Sequence, residues 1–582
     1  MAGGGIRMSP GKRAQAGPAN DSGTASEQVR RTIDSALGQN VTGDFLPSDL
    51  YGTAIDMVFR AARQPMALGR ATLDFWTDIA RIATGTAEKR EPEQGDRRFS
   101  DKAYTENLFY AGLLQGYLAW RSALKGFADV ALNEKERFLL DQLVEAGAPT
   151  NSLFGNPAAL RAAVESGGAS LVRGARNLAG DIAKLRPIPS QVDDSAFRVG
   201  ENLAVSPGSV VLRTEMFELI QYRAQTEKVH ERPIVIVPSI VNKFYIFDIA
   251  PGRSIIEHYI RSGHTVFMLA WRNPQKRHDR WGMGEYQDAI DTAIGTASAI
   301  TGSNDVNLWA VCGAGPVAVS LAGYYAARKT RRINSLLLVV SPLDTKAMAQ
   351  APSLSAFAEP RNEMARKVVR KVSRNKRISA NEFTLLFAML RPNDLIWNYW
   401  VSNYLMGTTP AAFDVLYWNG DGTGMTAQFN HDFSAFVDAN PFLEDGAMEV
   451  RGTAIAPVSQ LDIDSYVLGA ANDHLCVWQS VYRSARLLGE RSQFVLGNSG
   501  HIQTIVSPPG NPRASFFTNE NKPESAEEWL TTAEKHAGSW WDHGVAWTSA
   551  RAGKMVGAPR AEGNAEFPPL CAAPGTYVHE RG

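Results

Sequence analysis

From residue 200 onward the chain sets out short apolar runs bounded by turn residues, and this pattern restricts the fold more than any other feature. The runs are ERPIVIVPSI, HTVFMLAW, NDVNLWAV, NSLLLVVS, DSYVLGA and SQFVLGN, with helix-length stretches such as SIIEHYIRSG and YQDAIDTAIGTASAI between most of them. Strands this apolar are buried on both faces, and strands joined through helices run parallel, so the pattern predicts a doubly wound α/β sheet. SVVLRTEMFELIQY reads as two strands that open this domain, expected over 200–582. Between about 343 and 455 the alternation gives way to a helical, Trp- and Tyr-rich insert, placed to cap the strand ends where α/β ligand sites lie.

The preceding residues follow other rules. Residues 1–28, rich in Gly, Ala, Ser and Pro, are expected to be disordered, and 29–190 to form a mainly helical N-terminal domain. In that domain Phe99, Tyr104, Phe109, Tyr110, Tyr117 and Trp120 crowd together as core or as a docking face. LRPIPSQVDD reads as the linker that ends it.

Lys+Arg and Asp+Glu both number 60, so no overall field points to nucleic acid. Three cysteines cannot build a disulfide framework in a chain of 582 residues, which suits a reducing cytoplasm. No run is long enough for a membrane span, and the first residues lack the apolar core of an export signal. A metal cluster, a phosphate loop and a nucleotide fingerprint are all missing, so no metal and no cofactor are expected.

WAVCGAGPVAV runs a strand into Cys312 and a helix straight out of it, with Pro316 suited to the helix's first turn. A sharp strand–nucleophile–helix turn needs small neighbours, usually in the pattern Gly-x-nucleophile-x-Gly; here both glycines are alanine, Ala310 and Ala314. Taken alone, Cys312 is either a small hydrophobe at a strand end or a nucleophile. The remaining chain favours the nucleophile. An acid and a histidine should follow at later strand ends in that order, and Asp473 and His501 do so. His474, the rival base, is better suited to shaping the acid loop or assisting a second half-reaction.

At this point the sequence resembles the polyhydroxyalkanoate synthases over roughly residues 95–582. The matching strings include VNKFYIFDIAPGRSIIEHYIRSGHTVFMLAWRNP, ANDHLCVWQSVYRSA and LGNSGHIQTIVSPPGNPRASFFT; LRPNDLIWNYWVSNYL and PGTYVHERG look most like the medium-chain branch. The resemblance implies an α/β-hydrolase fold with a helical cap, and an enzyme that polymerises (R)-3-hydroxyacyl-CoA into polyester with release of CoA. It implies Cys312 as nucleophile, Asp473 as acid, His501 as base and Trp418 as a tryptophan near the site. A homodimer on a cytoplasmic polyester granule is implied as well. By the general logic of such elbows, Gly313 supplies one oxyanion-hole N–H, and the loop after VPSI, at Val241, the other. The cap aromatics Trp397, Tyr399, Trp400, Tyr404, Tyr417 and Trp418 are candidates for an apolar tunnel or for cap core. The basic run 361–377 reads as a solvated face or as a CoA phosphate contact. Two other activities use the same triad or none: a thiol hydrolase, and a non-catalytic granule-binding homologue.

Overall fold

A computed structural model describes residues 57–93, 96–345, 376–390, 392–473 and 475–581. The expectation for residues 1–28, most of the basic run 361–377 and His474 lie outside them.

The body is an eleven-stranded sheet in the order β13-β12-β11-β10-β7-β6-β4-β5-β2-β1-β15. Six strands form its parallel centre: β5 (Val266–Trp271), β4 (Ile234–Val237), β6 (Val306–Val311), β7 (Ile333–Val339), β10 (Asp464–Ala470) and β11 (Ser492–Gly497). The expected parallel sheet is therefore flanked at both ends by antiparallel strands. On one side stand β2 (Phe217–Tyr222), β1 (Gly208–Arg213) and β15 (Cys571–Ala572); on the other, β12 (Ser515–Thr518) and β13 (Glu534–Ala537). The link from β1 to β2 is too short for a crossover, so that pair has to be antiparallel. Two small ribbons complete the strands: β3 (Lys228–His230) with β14 (Met555–Gly557), and β8 (Glu449–Val450) with β9 (Thr453–Ala454).

Residues of β6 alternate between two cores, as a period-2 strand buried on both faces must. Leu308 and Ala310 pack with helices 283–301, 314–327 and 478–487, while Trp309 and Val311 pack with helices 255–261 and 540–549. Asn307 is the polar exception: it is fully buried, and its Oδ1 accepts from Ser335 Oγ and Asn334 Nδ2, at 2.7 and 2.9 Å.

The longer helices before residue 190 run 65–83, 108–131, 134–146, 157–165 and 169–183. Of the aromatic cluster, Phe99, Tyr104 and Tyr117 are core, whereas Phe109 is 61% exposed. This region docks on cap residues 393–408, where two π-helical turns lie at Asn393–Trp397 and Trp400–Leu405. Gly174 meets the Tyr404 carbonyl so closely that a Cβ would sit 1.9 Å from its oxygen. Asn177 Nδ2 donates to the carbonyls of Asn403 and Thr408, and Tyr404 donates its hydroxyl to Asp181.

The C-terminal segment is pinned to the sheet. Glu218, fully buried on β2, accepts from the amides of Thr576 and Tyr577, the Thr576 hydroxyl and Arg213. Lys243 Nζ donates to the carbonyls of Val578 and Glu580 at 2.6 and 2.9 Å and pairs with Asp421 of the cap at 2.8 Å. One buried ammonium thereby ties the loop after β4 to both the cap and the chain's end.

Candidate active site

Cys312 follows directly on β6, and its backbone is left-handed, with φ +51. A non-glycine residue there carries roughly 1–2 kcal/mol of strain per residue, so its surroundings must hold it. Its N–H donates to Val339 O at 2.9 Å, and its carbonyl accepts from Gly315 N and from Ser341 Oγ at 3.0 and 2.7 Å. The need for small residues in this elbow falls on Gly315, where a Cβ would stand 1.7 Å from Ser341 Oγ. Ala310 and Ala314 are accommodated, fully buried, in the core beneath.

The parallel register brings the other two groups alongside. Val339 lies opposite Leu468, and Leu468 opposite Val495, so the segments after β7, β10 and β11 leave the sheet at one edge. Asp473 follows β10. Its Oδ1 accepts from the amides of Leu475 and Cys476 at 2.8 and 2.9 Å, leaving Oδ2 to meet His501 Nδ1 at 2.5 Å. His501 opens the short helix 501–505. The two loops are joined by Ala471 N to Gly497 O, at 2.8 Å, and Asn472 N to Ser499 O, at 3.0 Å.

One further side chain belongs to this group. Cys476 is buried with its Sγ 3.9 Å from that of Cys312, and neither is in a disulfide. The Cys476 thiol is the largest influence on Cys312, pulling its pKa well below the ordinary thiol value against the burial that would raise it; His501 adds to the same effect. Burial alone would depress His501, but the Asp473 carboxylate and the Cys312 sulfur raise it to about 10. The lowered thiol and the raised imidazole both favour the thiolate–imidazolium form, the charge state of an activated cysteine nucleophile.

The whole chain has close relatives. Residues 95–259 match the family described as the N-terminus of poly-beta-hydroxybutyrate polymerase, and residues 232–508 match the alpha/beta hydrolase fold. Poly(3-hydroxyalkanoate) polymerase 1 of Ectopseudomonas oleovorans is 41% identical over 95% of this chain and 99% of its own length. The chain belongs to the poly(3-hydroxyalkanoate) polymerases. Polymerase 2 of the same organism is also 41% identical, over 92% of this chain and 95% of its own length. The polymerase subunit of Cupriavidus necator is 35% identical over 88% of each. The protein is thus an acyltransferase on an α/β-hydrolase scaffold.

In this polymerase the cap reaches the elbow through Phe433 of helix 427–439, whose ring edge is 3.8 Å from the place a Gly313 Cβ would take. The ring is one of a stack with Phe429 and Phe436, at 5.6 and 6.2 Å. Several aromatics singled out from the sequence face elsewhere. Trp400 donates to Asn151 O and Tyr404 bonds Asp181, both toward the N-terminal helices, and Tyr417 packs on Phe197. Trp418 is buried and donates to Lys243 O at 2.8 Å, so it braces the loop after β4.

Val241 lies in that loop. Val237 pairs with Ala310, so the loop emerges beside Cys312, and the Val241 carbonyl accepts from Thr423 N at 3.2 Å. Among the described residues neither the Gly313 nor the Val241 amide donates to a carbonyl. Sequence reasoning missed Cys476, Ser341, Lys243 and Phe433. Only Cys476 carried a readable signal, a second thiol three residues after the acid.

Alkylation of Cys312 by iodoacetamide, followed on its peptide by mass, should persist to lower pH than that of an ordinary thiol, which at pH 6 is about 300-fold slower than its own plateau. In Cys476→Ala the midpoint should move to higher pH, since the largest lowering influence is gone. An ordinary thiol profile in wild type would contradict the activated pair.

Proposed function

We propose that this polymerase joins (R)-3-hydroxyacyl-CoA units into polyester and releases CoA through a thioester on Cys312. The observation that carries the reading is the hydrogen-bonded Asp473–His501 pair beside a half-buried, acidified Cys312 in a member of this family. The Cys312 thiolate attacks the substrate carbonyl, and the developing oxyanion is met by the free amides of Gly313 and Val241. The tetrahedral centre collapses, the C–S bond to CoA breaks, and the CoA sulfur takes the proton from the His501 imidazolium. Neutral His501 then removes the proton from the 3-hydroxyl of another unit or chain. That oxygen attacks the acyl-Cys312 carbonyl, an ester bond forms, and the Cys312 thiolate leaves.

Exchange of one thioester for another loses little free energy, which is the reason for cysteine here; a serine ester would be a less reactive acyl donor. Asp473 holds His501 with Nε2 toward the sulfur and stabilises its charge. Phe433 over the elbow keeps water from the thioester, favouring polymer over free acid. Trp418 acts by bracing the Val241 loop through Lys243 O. The chemistry needs no cofactor, because CoA is a product. Wild type with medium-chain (R)-3-hydroxyacyl-CoA should release CoA and yield high-mass polyester. Cys312→Ala should lose at least about 10³-fold in rate, and Asp473→Asn about 10²–10⁴-fold. Free hydroxy acid as the sole product would make the protein a hydrolase, and CoA release undiminished in Cys312→Ala would remove the mechanism.

The homodimer and the seat on a cytoplasmic granule complete the proposal. Support for the granule comes from the helices before residue 190, which carry exposed Met66, Leu73, Trp76 and Leu108, an apolar surface that a polyester would cover. No helix among the described residues is long and apolar enough to cross a membrane, so attachment would be at a surface. The double variant Leu73→Gln, Trp76→Gln should move the enzyme from the granule to the soluble fraction with unchanged thermal stability, since both side chains are exposed. Undiminished granule binding would remove this part.

A further inference from the structure

Among the described residues of the site, Cys476 is a nucleophilic side chain that the proposed reaction leaves without a task. It is buried, and its sulfur, the sulfur of Cys312 and a ring nitrogen of His501 all lie within 4.8 Å of one another. Two thiols and an imidazole are the donor set favoured by zinc and its borderline-soft relatives. The spacing fits as well. Zinc–sulfur bonds of about 2.3 Å at a tetrahedral angle set two sulfurs roughly 3.8 Å apart, and the two Sγ atoms here stand 3.9 Å apart. His501 is held through Nδ1 by Asp473, so Nε2 is the nitrogen presented, and a carboxylate behind a histidine is the usual outer support of a metal-bound imidazole.

We propose that Cys312, Cys476 and His501 form a binding site for a thiophilic divalent cation of the zinc type, which arrests the enzyme by occupying its nucleophile and its base together. The fourth position is filled by water or by a thiol of the medium. Binding forms two metal–sulfur bonds and one metal–nitrogen bond, releases whatever protons the two sulfurs and the ring nitrogen carry, and involves no change of oxidation state. A disulfide between the same sulfurs fits less well. An S–S bond of about 2.05 Å would require the two atoms to close by nearly half their separation. Cys312 cannot travel freely, because its backbone is fixed by Val339, Ser341 and Gly315. Cation binding leaves the two sulfurs close to where they stand, 3.9 Å apart. Occupancy requires only this geometry, whereas arrest of turnover rests on the proposed role of Cys312.

The test titrates the full-length protein with Co²⁺ under anaerobic conditions and a phosphine reductant, reading thiolate-to-cobalt charge transfer and the tetrahedral d–d bands. One Co²⁺ per chain should bind with the intensity of two thiolates, and Zn²⁺ should displace it. X-ray absorption of the Zn²⁺ form should give two sulfur neighbours and one imidazole nitrogen. Cys476→Ala and Cys476→Ser, with folding checked by circular dichroism, should weaken Co²⁺ binding by roughly 100-fold or more; Cys571→Ala should leave it unchanged. Absence of a thiolate band in wild type, one sulfur neighbour where two are expected, or full binding in the folded Cys476 variants would overturn the site. CoA release measured in parallel should fall with Zn²⁺ occupancy and return on chelation. Full occupancy with undiminished CoA release would leave the cation site standing and overturn both the arrest and the role of Cys312.

Discussion

A cysteine held with a positive φ at the end of a buried strand is the constraint around which this molecule is organised. The strain of that backbone is offset by fixed partners: the Val339 carbonyl before it, and Gly315 and Ser341 beyond. Those partners sit on the neighbouring strand and in the following helix, so the thiol can be aimed only once β6, β7 and helix 314–327 have assembled. The same parallel edge then delivers Asp473 and His501. All three side chains follow buried parallel strands, β6, β10 and β11, with β7 between the first two, and the paired loops after β10 and β11 hold Asp473 and His501 together.

The regions outside the sheet act on the site through a few buried polar contacts. Lys243 joins the loop after β4, the cap at Asp421 and the carbonyls of Val578 and Glu580. Trp418 bonds the carbonyl of the same residue. The N-terminal helices press on residues 393–408, with Gly174 against Tyr404. The cap is thus held from two sides, by the C-terminal segment through Lys243 and by the N-terminal helices, while its Phe433 covers the elbow.

Much of this was legible in the sequence. The apolar runs located the six parallel strands because a strand buried on both faces has no polar alternation to obscure it. The order Cys312, Asp473, His501 after predicted strands pointed to three residues that the structure brings together. The edges were not readable: β13 is EKHA, largely exposed and without an apolar signal, and β15 has only two residues. Cap aromatics could be counted but not oriented, since a helical period does not say which neighbour a face will meet; Trp400 and Tyr404 turned to the N-terminal helices. Cys476 escaped notice for a different reason. Its approach to Cys312 depends on the Asp473 carboxylate folding the chain back over the amides of Leu475 and Cys476. No periodicity encodes that turn.

The proposed chemistry stands or falls on where the acyl group is attached during turnover. Rapid acid quench of the enzyme with a medium-chain (R)-3-hydroxyacyl-CoA, followed by peptide mass analysis, locates it. The acyl mass should appear on the peptide that contains Cys312 and be released by hydroxylamine, as a thioester is. An adduct confined to Cys476 or Cys571, or CoA release with no acylated cysteine at any quench time, would contradict the mechanism.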